Sequence, residues 1–224
     1  HKIKVKTPVN AYFGKDGDRA TILEVDGNKI ITQEGPKRVV GPGESVNIID
    51  PSLSIEGYFT DTDKRYIEAG IKLGINKYML SFVEKKNDIE AFKKLYPNAD
   101  IVAKIESQKG LDYVNNYWKG EARLMAARGD LYIEVSKPHK IIKAVNDIIR
   151  KDENAIVASR ILESLAYKLE PSCSDIGDVD SLMNIGYKTF MFGDEICMER
   201  DSIISGLNLL ECMIDQYEVI KWQS

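Results

Sequence analysis

Residues 100–135 read DIVAKIESQKGLDYVNNYWKGEARLMAARGDLYIEV. This stretch contains two short apolar runs, DIVAKIE and RLMAA, and between them Leu111, Val114 and Trp118 recur at helical spacing. An apolar strand, an amphipathic helix and a second apolar strand make up the repeating unit of folds with a parallel sheet. We therefore predict an α/β fold.

The same alternation of helix and strand continues on both sides of this stretch. Before it, Thr60 and Asp63 form a variant of the capping box that begins a helix, and the strand KYMLSF follows. Asn87 and Glu90 repeat this capping pattern at the next helix. After it, KIIKAVNDIIRK leads to AIVAS, SDIGDVDSLMNIG leads to KTFMF, and an apolar stripe marks a last helix.

These repeats amount to about five strands, each flanked by helix, which is typical of cyclic and of open α/β folds. Because the chain has no dinucleotide-binding fingerprint followed by a helix, we favour the TIM-type (β/α) barrel over the open fold. A complete barrel takes about 250 residues, and the repeats here begin only near Thr60. We therefore expect a partial barrel that lacks about three β/α units. Because incomplete barrels leave open sheet edges, we also expect the chain to form a homo-oligomer.

The first 50 residues follow a different pattern. ATILEV and KIITQ alternate in polarity around the turn Asp26-Gly27, which predicts a β-hairpin, and this part shows no helical period. We expect two parts, a small β segment in residues 1–50 and the barrel portion in residues 51–224.

Charge and composition argue against several classes of function. The formal net charge is −4 and the pI is about 5.4, so we expect no basic surface for nucleic acid. No apolar run reaches the roughly 20 residues of a membrane span, and the first residues lack a signal-peptide pattern, so we expect a soluble, cytoplasmic protein. Cys173, Cys197 and Cys212 lack CxxC spacing, so we expect buried or idle thiols instead of disulfides or a zinc site.

Charged residues occur within a strand that should be apolar. Lys104 and Glu106 are two positions apart in DIVAKIE, so their side chains share one face of the strand. Strands of a parallel sheet are buried on both faces, so this pair is either a buried ion pair or part of a functional site. Arg128, Gly129 and Asp130 lie where the next strand ends. Because charges recur at one rim, we favour a functional site.

The residue types at this rim suit a metal ion and an anion. The carboxylates of Glu106 and Asp130, with no histidine nearby, favour Mg²⁺ or Mn²⁺. Lys104 beside such an ion would stabilise an enolate or a phosphoryl group in transfer. Gly129 allows backbone N–H groups to approach a substrate carboxylate. Ser159, at the next strand end, is a candidate for binding the same anion, for relaying a proton, or for capping a helix.

Several blocks of the chain resemble the pyruvate kinase family in order and spacing. These blocks are FTDTDKRYIEAGIKLGINKYMLSFV, IVAKIESQKG, LMAARGDLYIEV, IVASRILESL and FMFGDE. The earlier DGDRATILEVDGNKI and GPGESVNI are similar to the end of that family's small β domain. The resemblance implies that Lys104 stabilises the enolate and the transferring phosphoryl group and that Glu106 and Asp130 bind a divalent metal. It also implies that Gly129 holds the carboxylate of phosphoenolpyruvate and that Ser159 replaces a threonine.

The resemblance implies an enzyme of glycolysis, a Mg²⁺-dependent phosphotransferase that converts phosphoenolpyruvate and ADP into pyruvate and ATP, with K⁺ as a further ion. The chain departs from the family's motifs at Tyr132, which replaces glycine, and at Arg160, which replaces glutamine. FGDEI replaces a serine-glycine-glutamate-threonine run, and the family's arginine- and asparagine-bearing early strands have no counterpart. Two alternatives therefore stay open: a metal-dependent lyase or aldolase acting on 2-oxo acids, and a non-catalytic homologue that binds metabolites. In each case the partner is a small molecule.

Overall fold

The computed structural model describes residues 2–14, 18–27, 29–35, 37, 41 and 45–223. These residues form a five-stranded sheet, a four-stranded sheet and a two-stranded ribbon. All strands of the five-stranded sheet run parallel, and helices alternate with them along the chain. The predicted α/β class and the partial (β/α) barrel are therefore confirmed.

The four-stranded sheet lies in the first part of the chain and is antiparallel. It buries alternate apolar residues, among them Ala11, Ala20 and Ile22. The predicted hairpin is present, because Asp26 pairs with Lys29 across the turn. The strands that precede the first helix are, in chain order, β1 (Lys2–Lys4), β2 (Val9–Phe13), β3 (Asp18–Asp26), β4 (Lys29–Thr32), β5 (Val46–Ile48) and β6 (Ser54–Glu56). Strands β2 to β5 form the four-stranded sheet.

Two features connect this small sheet to the barrel portion. Strands β1 and β6 pair as an antiparallel ribbon, which brings the start of the chain beside the segment that enters the barrel. In β5, the side-chain amide of Asn47 is buried and donates a hydrogen bond to the carboxylate of Glu134 at 3.3 Å. Since the spatial order of the small sheet is β4-β3-β2-β5, it is an edge strand that makes this contact.

The parallel sheet keeps its strands in chain order, each beside the strand that precedes it. Lys104 lies opposite Met125, and Ala127 lies opposite Ala158, so successive strands end at one rim. Polar residues that follow these strands therefore meet at that rim. The strands are β7 (Lys77–Leu80), β8 (Asp100–Ile105), β9 (Arg123–Ala127), β10 (Ile156–Ala158) and β11 (Thr189–Met191).

Strands β7 and β11 are the two edges of the parallel sheet. Among the described residues, each pairs with a neighbour on one side only. Homo-oligomer formation, which we expected from such open edges, stays a prediction.

The helices pack their apolar faces against the parallel sheet. Phe92, Val114 and Ile148 are buried there in a core that also contains the strand residues Leu124 and Val157. A 3₁₀ helix covers Glu163–Ala166. The α-helices are α1 (Asp61–Lys72), α2 (Lys86–Leu95), α3 (Gln108–Asn116), α4 (Arg128–Glu134), α5 (Lys140–Lys151), α6 (Cys173–Ile185), α7 (Asp194–Cys197) and α8 (Arg200–Gln223).

The two predicted helix caps have different outcomes. At α1 the capping box is confirmed: Thr60 Oγ1 accepts the N–H of Asp63 at 3.1 Å, and Asp63 Oδ2 accepts the N–H of Thr60 at 2.7 Å. At α2 the prediction for Asn87 is wrong, because the helix already begins at Lys86. The carboxylate of Asp88, one residue further on, accepts the N–H groups of the preceding turn instead.

The cysteines and the helix lengths bear on two further expectations. Cys173, Cys197 and Cys212 are all free and exposed, so of the two expected kinds of thiol, buried or idle, the buried kind is wrong. They lie in α6, in α7 and in α8, respectively. In the part of the chain that the structure describes, no helix combines the length and apolarity needed to cross a membrane.

Candidate active site

A cavity of about 480 Å³ opens at the rim where β8, β9 and β10 end. Lys104, Gly129, Asp130 and Ser159 line it, as the sequence predicted that these residues would meet. Glu106 is placed differently: it is buried beside Lys104, and its side chain is only 3% exposed. The cavity therefore gathers the predicted residues on its surface, with Glu106 in the wall behind them.

Lys104 and Glu106 form an ion pair in this wall. Lys104 Nζ lies 2.9 Å from Glu106 Oε1, and Glu106 Oε2 accepts the backbone N–H of Phe82 at 2.7 Å. The pKa of Glu106 is raised above its ordinary value, chiefly because the carboxyl is buried and in addition because of the charge of Asp130. The ammonium of Lys104 and the N–H of Phe82 act in the opposite direction. The ion-pair interpretation is thus confirmed, and because Lys104 also lines the cavity, the pair's part in a functional site stays a prediction.

The loop after β7 holds this ion pair in place. Lys104 Nζ also donates to Ser81 Oγ at 3.3 Å, and the hydroxyl of Tyr58 donates to the carbonyl oxygen of Ser81. Phe82 has φ 50°, the left-handed region that residues with a Cβ rarely adopt. That conformation accompanies the hydrogen bond from its N–H to Glu106. The sequence carries no local signal for it, since the residue is not glycine.

Gly129 and Asp130 lie in the first turn of α4, directly after β9. N–H groups in the first turn of a helix have no acceptor within the helix and can bind an anion. A Cβ added at Gly129 would lie 3.4 Å from Ser159 Oγ, which is van der Waals contact. Glycine therefore leaves space open between the start of α4 and the Ser159 hydroxyl.

Ser159 follows β10 in a strained segment. Ser159, Arg160 and Leu162 have φ values of 67°, 57° and 52°, all in the left-handed region. The alternative that Ser159 caps a helix is wrong, because the next helix is the 3₁₀ helix that begins at Glu163. Such outliers concentrate at functional sites, so the strain supports a role for the hydroxyl in the cavity.

Arg128 supports this segment, a role that sequence reasoning missed. Its guanidinium donates to the carbonyl oxygens of Ser159 and Arg160 and forms an ion pair with Asp178 at 2.8 Å. The sequence placed Arg128 at the rim as a charge. Its partners lie some 30 to 50 residues away along the chain, so no spacing pattern indicates them.

Two of the departures from the family's motifs, Tyr132 and Arg160, contact each other. The guanidinium carbon of Arg160 is 4.8 Å from the centroid of the Tyr132 ring, which is a cation–π contact. Arg160 also lines the cavity next to Ser159. In the sequence, this pair was indicated only by the fact that both residues depart from the family's motifs.

The donor set decides which metal these residues could hold. Among the described residues, no group of three or more His, Cys, Asp or Glu side chains is arranged to hold a metal ion. Glu106 and Asp130 therefore offer two carboxylates at most, which fits Mg²⁺ or Mn²⁺, because these ions use one or two carboxylates together with water and substrate oxygens. The residues do not suit a structural zinc site, which takes four protein ligands.

Comparison with known proteins shows to which family the chain belongs. The sequence model described as "Pyruvate kinase, barrel domain" matches residues 10–198. The chain belongs to the pyruvate kinase family. The pyruvate kinase of Thermotoga maritima is 31% identical over 185 residues, which cover 74% of this chain and 39% of that protein. The pyruvate kinase of Thermoplasma acidophilum is 30% identical over 158 residues, which cover 67% of this chain and 29% of that protein.

A solved structure supports the fold of this pyruvate kinase homologue. The crystal structure of Cryptosporidium parvum pyruvate kinase matches with a TM-score of 0.75 and 21% sequence identity, over 90% of this chain and 45% of that chain. The chain thus spans less than half the length of the family members described here.

Proposed function

We propose that this chain carries the metal and enolate half of a pyruvate kinase active site, acting in Mg²⁺-dependent phosphoryl transfer between phosphoenolpyruvate and ADP. The observation that carries the proposal is the cavity at the rim, where Lys104, Gly129, Asp130 and Ser159 converge. These residues come from the ends of three neighbouring strands, which is where (β/α) barrels place their active sites.

Lys104 supplies fixed positive charge in this scheme. The bond between phosphorus and the enol oxygen of phosphoenolpyruvate breaks, a bond to the terminal phosphate oxygen of ADP forms, and the enolate of pyruvate is left behind. Negative charge develops on the enolate oxygen and on the transferring group, and the ammonium of Lys104 stabilises both. Its contacts with Glu106 and Ser81 keep the ammonium at the cavity wall before substrate arrives.

The remaining residues bind the substrate and the metal and assist protonation of the enolate. The N–H groups of Gly129 and Asp130 receive the substrate carboxylate, as first-turn N–H groups do. Glu106 and Asp130 would hold the divalent metal, which neutralises charge on the substrate oxygens when it is bound. The hydroxyl of Ser159 assists protonation of the enolate carbon, which completes pyruvate.

A titration tests this proposal on the full chain. Phosphoenolpyruvate is titrated with and without Mg²⁺ by calorimetry, on the parent, on Lys104→Met and on Lys77→Met. Lys77 is an exposed lysine at the opposite end of β7, so it serves as a matched control. We expect Mg²⁺-dependent binding that weakens about tenfold or more in Lys104→Met and stays unchanged in Lys77→Met. Binding that is equally strong in Lys104→Met contradicts the proposal.

A second candidate is a metal-dependent lyase or aldolase acting on a 2-oxo acid. The contact between Arg160 and Tyr132 favours it, because it holds a residue foreign to the family's motifs, Arg160, at the cavity beside Ser159. The two candidates differ in their products. A coupled assay that detects pyruvate from phosphoenolpyruvate and ADP supports the kinase, whereas an adduct from pyruvate and an aldehyde supports the lyase or aldolase. Metabolite binding with neither product supports the non-catalytic homologue.

A further inference from the structure

Arg128 joins three elements of the barrel portion through one guanidinium group. It is the first residue of α4, directly before Gly129. Its Nε and Nη2 atoms donate to the carbonyl oxygen of Ser159 at 3.0 and 2.9 Å, and Nη2 also donates to the carbonyl oxygen of Arg160 at 3.0 Å. Its Nη1 atom lies 2.8 Å from Asp178 Oδ1 on α6. The end of β9, the end of β10 and helix α6 are thereby linked.

Arg128 contacts a segment whose backbone conformation is unfavourable for residues that carry a side chain. Ser159, Arg160 and Leu162 carry side chains yet adopt left-handed backbone conformations, which persist only where the surroundings hold them. The carbonyl oxygens of Ser159 and Arg160 accept hydrogen bonds from the guanidinium of Arg128, and hydrogen bonds from a charged donor are stronger than neutral ones. The guanidinium therefore stabilises the conformation that brings Ser159 to the cavity.

Asp178 gives this guanidinium its orientation. The side chain of Arg128 is only 11% exposed, so its charge needs a partner within the fold. Asp178 supplies that partner from α6, and the planar fork of the guanidinium then directs its other donors at the two carbonyl oxygens. The position of the Ser159 backbone thus depends on an ion pair outside the cavity.

We propose that Arg128, oriented by Asp178, is a positioning residue that sets the Ser159 hydroxyl against Gly129 and Asp130. Arg128 begins the turn that presents the N–H groups of Gly129 and Asp130, and the same side chain holds the Ser159 backbone. The two sides of the substrate position are therefore fixed relative to each other by one residue. The effect on ligand binding rests on the proposed function, whereas the effect on the Ser159 segment does not.

Hydrogen exchange tests the placement without any ligand. Backbone amide exchange is measured across residues 156–166 in the parent, Arg128→Lys, Asp178→Asn and Arg123→Lys. Arg123 is the matched control, because it lies at the other end of β9 and also donates to a distant carbonyl oxygen, that of Asn154. We expect faster exchange in this segment for Arg128→Lys and, to a smaller extent, for Asp178→Asn. Exchange that matches the parent in both variants overturns the proposal.

A double-mutant cycle tests whether Arg128 acts through Ser159. Binding of phosphoenolpyruvate with Mg²⁺ is measured for Arg128→Lys, Ser159→Ala and the double variant, with circular dichroism to verify that each is folded. If each single change weakens binding about tenfold, we expect the double variant to lose about tenfold as well, because the changes share one mechanism. A loss of about a hundredfold in the double variant means independent effects and overturns the proposal.

The two measurements separate this inference from the proposed function. A parent that does not bind phosphoenolpyruvate with Mg²⁺ refutes the proposed function, and the exchange experiment then decides the placement by itself. Should Arg128→Lys fail to fold, Asp178→Asn takes its place in both experiments, because it removes the charge that orients the guanidinium and leaves the guanidinium present.

Discussion

The guanidinium carbon of Arg160 lies 4.8 Å from the centroid of the Tyr132 ring. Both residues replace smaller or uncharged ones in the motifs of the pyruvate kinase family, so the two replacements have a physical reason to occur together. The ring provides a flat apolar surface for the guanidinium, and the left-handed backbone of Arg160 is held by Arg128. The cavity thereby has a second cation besides Lys104.

Arg160→Gln, which restores the residue type of the family, should weaken the binding of phosphoenolpyruvate with Mg²⁺. Arg160 is exposed, so solvent screens its charge, and we expect the affinity to fall only about threefold. This loss of affinity should become smaller as salt is added. Calorimetry at two ionic strengths measures it. Arg200→Gln, at an exposed arginine on α8, is the control and should bind as the parent does. An equal loss at both salt concentrations would contradict the electrostatic explanation.

Gly129→Ala should reduce ligand binding while the fold is retained. The added Cβ would lie 3.4 Å from Ser159 Oγ and 3.6 Å from Ser159 Cβ, in van der Waals contact, so it fills the space beside the hydroxyl in which the ligand is proposed to bind. Gly177→Ala in α6 is the control, because no atom lies within 4 Å of a Cβ there. We expect the control to bind normally and to raise the free energy of unfolding by about 0.5–1 kcal/mol, since alanine suits a helix interior better than glycine. Normal binding by Gly129→Ala would show that the ligand does not need this space.

Glu134 should make the stability of the fold depend on pH. Burial raises its pKa above the ordinary 4.5, with further increases from Glu84 and Asp130 and a decrease from the Asn47 amide. The folded state thus binds the proton more tightly than the unfolded state, so the stabilisation is present below about pH 4.5 and is lost as the pH rises through the raised pKa.

Glu134→Gln removes this titration and keeps a polar group of similar size beside Asn47. We expect the melting temperature of the variant to rise relative to that of the parent as the pH increases from about 4 to about 7. Glu68→Gln, at an exposed position of α1, should follow the parent throughout. A constant difference between parent and Glu134→Gln would mean that the carboxyl does not titrate differently in the two states.

Thr60→Ala should lower the free energy of unfolding by about 1 kcal/mol, the usual effect of losing a helix cap. Its hydroxyl accepts the N–H of Asp63, and the alanine methyl cannot. Urea denaturation measures the change, and Thr60→Ser, which keeps the hydroxyl, should lose much less. Asn87→Ala should have little effect on stability, because Asn87 lies inside α2 and is not its cap. A larger loss at Asn87 than at Thr60 would contradict the caps described here.

The sequence predicted the features that depend on short spacings. The periodic apolar residues give the helices, the apolar runs give the strands, and the interval of two between Lys104 and Glu106 places both side chains on one face. The end of the next strand then brings Asp130 to the same rim, which the structure bears out for the cavity. Each of these inferences uses residues within one strand or helix, or within two strands that are consecutive along the chain.

The features that the sequence did not predict depend on distant contacts. The bonds from Arg128 to the Ser159 segment join residues 31 positions apart, and the left-handed conformations at Phe82 and Ser159 occur without glycine. The cap of α2 was misplaced because the N-cap position is Lys85, which is not a usual capping residue, and the carboxylate of Asp88 inside the first turn accepts the N–H groups of Glu84 and Lys85 instead. Tertiary structure overrides local preference in each case.

The order of the parallel strands has a consequence for how the barrel portion forms. Each strand from β8 to β11 pairs with the strand that leaves the ribosome just before it, so none of these four pairings has to wait for a later part of the chain. Contacts between neighbouring units close short loops, and short loops cost less entropy to close than long ones. The sheet can therefore grow during translation one β/α unit at a time, with each new unit docking on a template that is already present.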